Sequence, residues 1–162
     1  MKLSRRSEYG LRVLQDLAAH YGEKPIPNKE LAERNGVPRK FLEQIMLTLK
    51  RGHIVYALKG PQGGYSLARP PELISLAEVI RLLDGPLAPI TCVSETAFRP
   101  CTCTDMDTCG LRRVMKQVRD VIAGIMEQTT LADLLPLNAE KSTVHSPAVS
   151  QHQVEVDRVQ NH

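Results

Sequence analysis

Residues 28–68, NKELAERNGVPRKFLEQIMLTLKRGHIVYALKGPQGGYSLA, carry the pattern on which the fold turns. Residues 28–34 predict a short helix with Leu31 and Ala32 facing inward. Asn35-Gly36 reads as a turn, since both residue types tolerate positive φ. Pro38 suits the first turn of the next helix, where its missing N–H costs nothing. That helix, residues 38–51, is strongly amphipathic. Phe41, Leu42, Ile45, Met46 and Leu49 form its apolar face, and Arg39, Lys40, Glu43 and Gln44 occupy the first two turns of the other. Residues 54–58 and 65–68 are strand-like and joined by KGPQGG at 59–64, which makes a β-hairpin with a Gly/Pro-rich tip.

Helix, tight turn and helix is the outline of a helix-turn-helix, whose second helix enters the major groove N-terminus first. Arg and Lys reach guanine or phosphate there, Gln reads adenine and Glu accepts from cytosine. A solvated charged helix end would give the same residues, and the hairpin separates the two readings. Placed just after a recognition helix, it is a wing. Its small residues let the backbone approach phosphates, and Lys59 or Gln62 can reach the minor groove. Charge agrees. Residues 1–69 hold 13 Lys/Arg against 6 Asp/Glu, or +7, and residues 70–162 hold 8 against 12, or −4, which sum to the net +3. A basic first half is the footprint expected of a nucleic-acid binder.

Upstream, residues 7–21 predict a helix with Leu11, Leu14, Ala18 and Tyr21 on one face, ended by Gly22 and Pro25-Ile26-Pro27. Downstream, Pro70-Pro71 closes the module. Ser75 and Glu78 make a capping box for a helix over 76–83, which Asp84-Gly85-Pro86 stops. Residues 111–127 predict a long helix with Leu111, Val114, Val118, Val121 and Ile125 spaced as a coiled-coil seam, widened by Met115, Ile122 and Met126. Few other helices remain for that stripe to cover, so it predicts a homodimer interface, which would match a pseudo-palindromic DNA site. Residues 130–135 add a short capped helix. The expected fold class is mainly α with a small β-hairpin wing: a winged helix-turn-helix plus a long dimerisation helix. The expected units are 1–70 for DNA binding, 71–136 for the capped helix, cysteine loop and dimerisation helix, and a disordered tail over 137–162. The tail's His145, His152 and His162 are given no role.

All four cysteines, Cys92, Cys101, Cys103 and Cys109, lie within TCVSETAFRPCTCTDMDTCG at 91–110. No helical or strand period runs through this stretch, so it is expected to be a loop. Cysteine used for packing belongs in apolar core, which makes a polar loop holding every thiol a candidate for chemistry. Such thiols can hold a metal or an iron–sulfur cluster, form disulfides or sense redox state. Structural zinc favours cysteines paired two to four residues apart; the intervals here are eight, one and five residues. The N-terminus lacks a secretory h-region, and no run approaches the roughly 18 apolar residues of a membrane span. A cytoplasmic protein without membrane association is expected, where structural disulfides are rare. No phosphate-binding glycine motif and no nucleophile–base arrangement suggests an enzyme.

The MKLSRRSEYGLRVLQDLA start, the NKELAERNGVPRKFLEQIM helix pair and the LKGPQGGYSLARP wing resemble the Rrf-type winged-helix transcriptional regulators. The resemblance extends over about 1–135, through the cysteine loop to TTLADLL. It implies a homodimeric repressor or dual regulator whose winged helices bind double-stranded DNA at a pseudo-palindromic operator. It places recognition contacts on Arg39, Lys40, Glu43 and Gln44 and wing contacts on Lys59 and Gly60. It also implies a 2Fe–2S or 4Fe–4S cluster in the loop that controls operator affinity. Three cysteines are the family's usual ligands. Cys92 and Cys109 match the outer two, Cys103 keeps the family's gap to Cys109, and Cys101 sits two residues earlier. The iron–sulfur regulators resembled carry a histidine three residues after the last cysteine. This chain has Arg112 there, which stays protonated and cannot ligate iron. Either all four cysteines bind, or an outside group completes the site; Glu8 resembles an acidic ligand that some members contribute from the other subunit. The alternative is the same winged-helix regulator with its cysteines used as a thiol/disulfide switch or zinc site.

Overall fold

The computed structural model describes residues 2–103 and 105–136, so the expected tail over 137–162 lies outside the described residues. Among the described residues, five helices and one antiparallel hairpin follow in the order α1 (Arg5–Ala19), α2 (Asn28–Asn35), α3 (Arg39–Arg51), β1 (Val55–Leu58), β2 (Gly64–Leu67), α4 (Leu76–Leu83) and α5 (Gly110–Gln128). Short 3-10 turns occupy Pro71–Leu73, Thr91–Val93 and Ala132–Leu134.

Helix α1 starts two residues earlier than its apolar spacing suggests, because Ser4 caps it by accepting from the Ser7 N–H at 3.2 Å. Its buried face is Ser7, Gly10, Val13, Leu14, Leu17 and Ala18. The predicted stripe through Leu11 and Tyr21 is therefore displaced: Leu11 is half-buried and Tyr21 is 45% exposed. Two causes act. The helix ends at Ala19, which takes Tyr21 off its face, and α1 packs against α2, α3 and α4 together, which calls for a broader face than one stripe.

Asn35 ends α2, and Gly36 takes the left-handed conformation with φ +62°. Asn35 is more than a turn residue. Its buried side chain donates to Asp16 Oδ2 at 2.8 Å and to the Leu31 carbonyl at 2.9 Å, and its own carbonyl accepts from Arg12 at 3.0 Å. Arg34 adds an ion pair to Asp16 at 2.8 Å, so polar bonds fix the angle between α1 and α2. Helix α3 then buries Leu42, Ile45, Met46 and Leu49 completely, while Phe41 meets Tyr9 edge-on with ring centroids 5.7 Å apart.

The hairpin runs from the pair Val55–Leu67 to Leu58–Gly64. Ile26 adds a one-residue bridge to β2: Ile26 N–H donates to the Tyr65 carbonyl at 3.0 Å, and Tyr65 N–H to the Ile26 carbonyl at 2.9 Å. Gly64 permits this approach, since a Cβ there would stand 2.4 Å from the Ile26 carbonyl group.

Ser75 caps α4 by accepting from Glu78 N–H at 3.2 Å, but the capping box closes on one side only. The Glu78 carboxylate accepts from Arg69 at 2.7 Å and so ties α4 to the end of the wing. Ile74, Val79, Leu83 and Leu131 share one core with α1–α3 and the hairpin. The return from α5 is made by a bridge in which Leu76 N–H donates to the Thr129 carbonyl at 2.8 Å and Leu131 N–H to the Ile74 carbonyl at 2.9 Å. The predicted helix over 130–135 is a 3-10 turn, and its polar cap runs the other way: Asp133 accepts from the Thr130 N–H and hydroxyl. Helix α5 is peripheral. None of its residues is buried, and Leu111, Val114, Val118, Val121 and Ile125 are between 37% and 62% exposed.

Candidate functional site

The outer face of α3 is assembled by its inner face. With Leu42, Ile45, Met46 and Leu49 inward, the 3.6-residue period sends Lys40, Glu43, Gln44, Leu47 and Arg51 outward in a row, with Arg39 beside them. Glu43 is partnered in this state: its carboxylate pairs with Arg39 at 3.5 Å and accepts from Asn28 at 3.3 Å. Lys40 and Gln44 are exposed. Leu47, 48% exposed, is an apolar residue in this polar row that sequence reasoning passed over. Its position outside the apolar stripe was the available signal. Beneath the row, Thr48 accepts from Arg6 of α1 and donates to the Gln44 carbonyl at 3.2 Å. At the wing tip Lys59, Gly60, Pro61 and Gln62 are exposed. Gly60 holds φ +118°, which an L side chain rarely adopts, and its carbonyl accepts from Gly63 N–H at 2.9 Å to close the turn.

The cysteine stretch is irregular except at its start. There the 3-10 turn Thr91–Val93 buries Cys92 to 5% exposure. Cys101 and Cys109 are half-buried, Cys103 is exposed, and all four are free thiols. Cys109 caps α5, its Sγ accepting from the Arg112 N–H at 3.4 Å.

The thiols influence one another in sequence. Burial pushes the Cys92 thiol up, and neighbouring Cys101 adds to this. Hydrogen bonding from Cys103 brings Cys101 below its usual value. The same bond and the charge it leaves on Cys101 push Cys103 up to about 11, with Cys109 adding to the rise. Cys101 and Cys103 thus lose one proton easily and the second with difficulty.

Among the described residues no three metal-binding side chains are already arranged round a single ion. The donor set nevertheless suits a thiolate-held iron–sulfur group, since four free thiols share one loop. Arg112 takes no place among these donors; its Nε donates to the Cys92 carbonyl at 3.3 Å. Glu8 is exposed on the first turn of α1 and, among the described residues, makes no ion pair or hydrogen bond with the loop.

A helix-turn-helix with an exposed, mostly polar row on its second helix, a glycine-tipped wing and a thiol-bearing loop against a peripheral helix defines a winged-helix regulator. The model of the Rrf2 family, described as an iron-dependent transcriptional regulator, matches residues 3–136, and the chain belongs to that family. Protein rrf2 of Nitratidesulfovibrio vulgaris is 35% identical over 135 residues, covering 83% of this chain and 87% of its own. The structure of CymR, the global cysteine regulator of B. subtilis, superposes with a TM-score of 0.69 at 29% identity, over 83% of this chain and 95% of CymR. That of T. potens IscR gives 0.66 at 31%, over 83% and 85%. The chain is a DNA-binding transcriptional regulator and not an enzyme. Among the described residues no helix is long and apolar enough to cross a membrane.

Proposed function

We propose that this regulator binds a pseudo-palindromic operator as a homodimer, and that an iron–sulfur cluster held in the 92–109 loop sets its affinity. Arg39, Lys40, Glu43 and Gln44 read the major groove, and Lys59 and Gly60 place the wing on the backbone. Leu47 follows Gln44 on the same face and would meet a thymine methyl. The α5 stripe forms the dimer seam, a reading supported by five exposed aliphatic side chains on a single helix.

The observation that carries the sensing role is the gathering of every thiol of the chain in one loop, with that loop bonded to α5. Cys92, Cys109 and one or both of Cys101 and Cys103 would hold the cluster, with Glu8 of the other subunit as the candidate outside ligand. When bound, such a cluster supplies a thiolate-ligated centre open to oxidation, nitric oxide or iron loss. The chain's own residues carry the response. Arg81 of α4 pairs with Glu127 of α5. Asp84, at the end of α4, accepts from the N–H and hydroxyl of Ser4 at the start of α1. Helix α4 also packs directly on α3. A change in how the loop seats on α5 therefore reaches the recognition helix through α4, and the two seatings bind DNA with different affinity.

A second reading, a thiol/disulfide switch, draws on the free thiols of Cys101 and Cys103 two residues apart and on the likeness to CymR. Protein purified without oxygen separates the two by its visible spectrum and its iron and sulfide content. A brown protein with matched iron and sulfide supports the cluster. Colourless protein after reconstitution, with thiols that oxidise in pairs, replaces it with the switch.

A further inference from the structure

The cysteine loop is fastened to α5 at its buried end by two arginines. Arg112 Nε donates to the Cys92 carbonyl at 3.3 Å, and Arg119 Nη1 donates to the Val93 carbonyl at 2.7 Å. They stand seven residues apart, two turns of one helix, so both project from the same side of α5. The Arg119 side chain is only 11% exposed; its Nε donates to Asp120 at 2.8 Å, and its Nη2 pairs with Asp120 and with Glu95 at 3.2 Å. A guanidinium cannot shed its charge, so it stays this far from water only where its donors are matched. Here the match is shared between Asp120 on α5 and the loop, which supplies the Val93 carbonyl and the Glu95 carboxylate. Both carbonyls belong to the 3-10 turn that carries Cys92. The remainder of the turn closes on itself: Ser94 and Arg99 N–H groups donate to the Thr91 carbonyl at 3.2 and 3.3 Å, and Ser94 Oγ accepts from Ala97 N–H at 3.0 Å.

We propose that Arg112 and Arg119 are positioning residues that hold the Cys92 turn on α5 without help from any metal or disulfide. They bind main-chain oxygens, so the hold is independent of what the sulfurs are doing. One end of the thiol chain is thereby fixed and shielded while Cys103 stays open to solvent. Chemistry at the open end then works against an anchored partner instead of a loose loop.

The test uses the full chain, reduced and metal-free, so its result does not depend on whether the loop takes a cluster or acts as a thiol switch. The alkylation rate of each cysteine by iodoacetamide is read by peptide mass mapping, with amide exchange measured over residues 91–99. In the wild type Cys92 is the slowest thiol. Loss of one charge-assisted bond predicts that Arg119→Met speeds Cys92 by about tenfold while Cys103 stays within about twofold. Arg119→Lys, which keeps a donor towards Val93, restores part of the protection. Arg112→Met, which loses the longer bond, has a smaller effect of the same kind. Arg112 makes a single side-chain bond to the turn and has no ion pair among the described residues, so this variant decides the matter if Arg119→Met does not fold. Unchanged Cys92 protection in the double variant would overturn the proposal. So would equal acceleration of all four thiols in folded Arg112→Met.

Discussion

Gln44 and Lys40 stand one turn apart on α3, yet their chemistry predicts different losses. Gln44 can make a paired hydrogen bond to adenine, so Gln44→Ala is expected to cost about 1–3 kcal/mol at sites with that base and little elsewhere. Lys40 offers a point charge to phosphate. Lys40→Ala should weaken binding evenly across sequences and lower the slope of log affinity against log salt by about one per protomer. Binding curves on sites selected from random DNA, at several salt concentrations, distinguish the two. Away from DNA, Asn35 bridges Asp16 and Leu31 from a buried position. Asn35→Ala leaves those acceptors short of a donor and should cost about 1–3 kcal/mol in urea unfolding. Asp133 offers a test by pH. The Thr130 N–H and hydroxyl hold its carboxyl below the usual aspartate value of 3.8, with burial opposing weakly. A depressed folded pKa means stability that is fully present above the unfolded value and is lost as pH falls through the folded one. The stability gap between wild type and Asp133→Asn should therefore narrow on acidification below about pH 4, as melting temperatures would record.

Among elements, α5 is the one whose composition and surroundings disagree within a single chain. Its seam of Leu111, Val114, Val118, Val121 and Ile125 is spaced for burial, and all five are exposed. Burying an aliphatic side chain fully is worth about 1.5–3 kcal/mol, so covering the exposed half of five of them gives roughly 4–8 kcal/mol, within the range that association costs in lost freedom. Val118→Asp with Val121→Asp is expected to give a monomer by sedimentation velocity, with the helical content of the wild type. A variant that stays dimeric would place the seam elsewhere. The wing shows the converse case. GPQGG is legible as a turn in sequence, and Gly60 meets that reading with its positive φ. Gly64 is needed for a reason sequence does not display, the approach of Ile26 from a stretch that reads in sequence only as the end of the first helix.

For the whole molecule, the proposed sensing loop and the proposed DNA-reading helix are linked through α4. It touches α1, α3 and α5, and its end is tied to Ser4 by Asp84. Asp84→Ala should lower operator affinity and blunt its dependence on the state of the cysteines, while leaving thiol content and any bound iron unchanged. Parallel DNA-binding and metal measurements on the variant check this. Intact coupling in Asp84→Ala would shift the route to the direct α4–α3 packing.

Local physical chemistry by itself determined the helix-turn-helix, the wing, the amphipathic face of α3 and the loop that holds every thiol. In each, periodicity, turn chemistry or composition acts over a few residues. The two extra residues of α1 before Ser7 also have a local cause, the Ser4 cap, but apolar spacing cannot register it. Tertiary structure decided which face of α1 is buried, because three helices share that face. It turned Asn35 from a turn residue into a bolt between helices, since its partner Asp16 is 19 residues away. It also made Arg112 and Arg119 the fasteners of the Cys92 turn. Their acceptors are main-chain oxygens 20 and 26 residues away, and any residue can supply a carbonyl, so no side-chain pattern announces them.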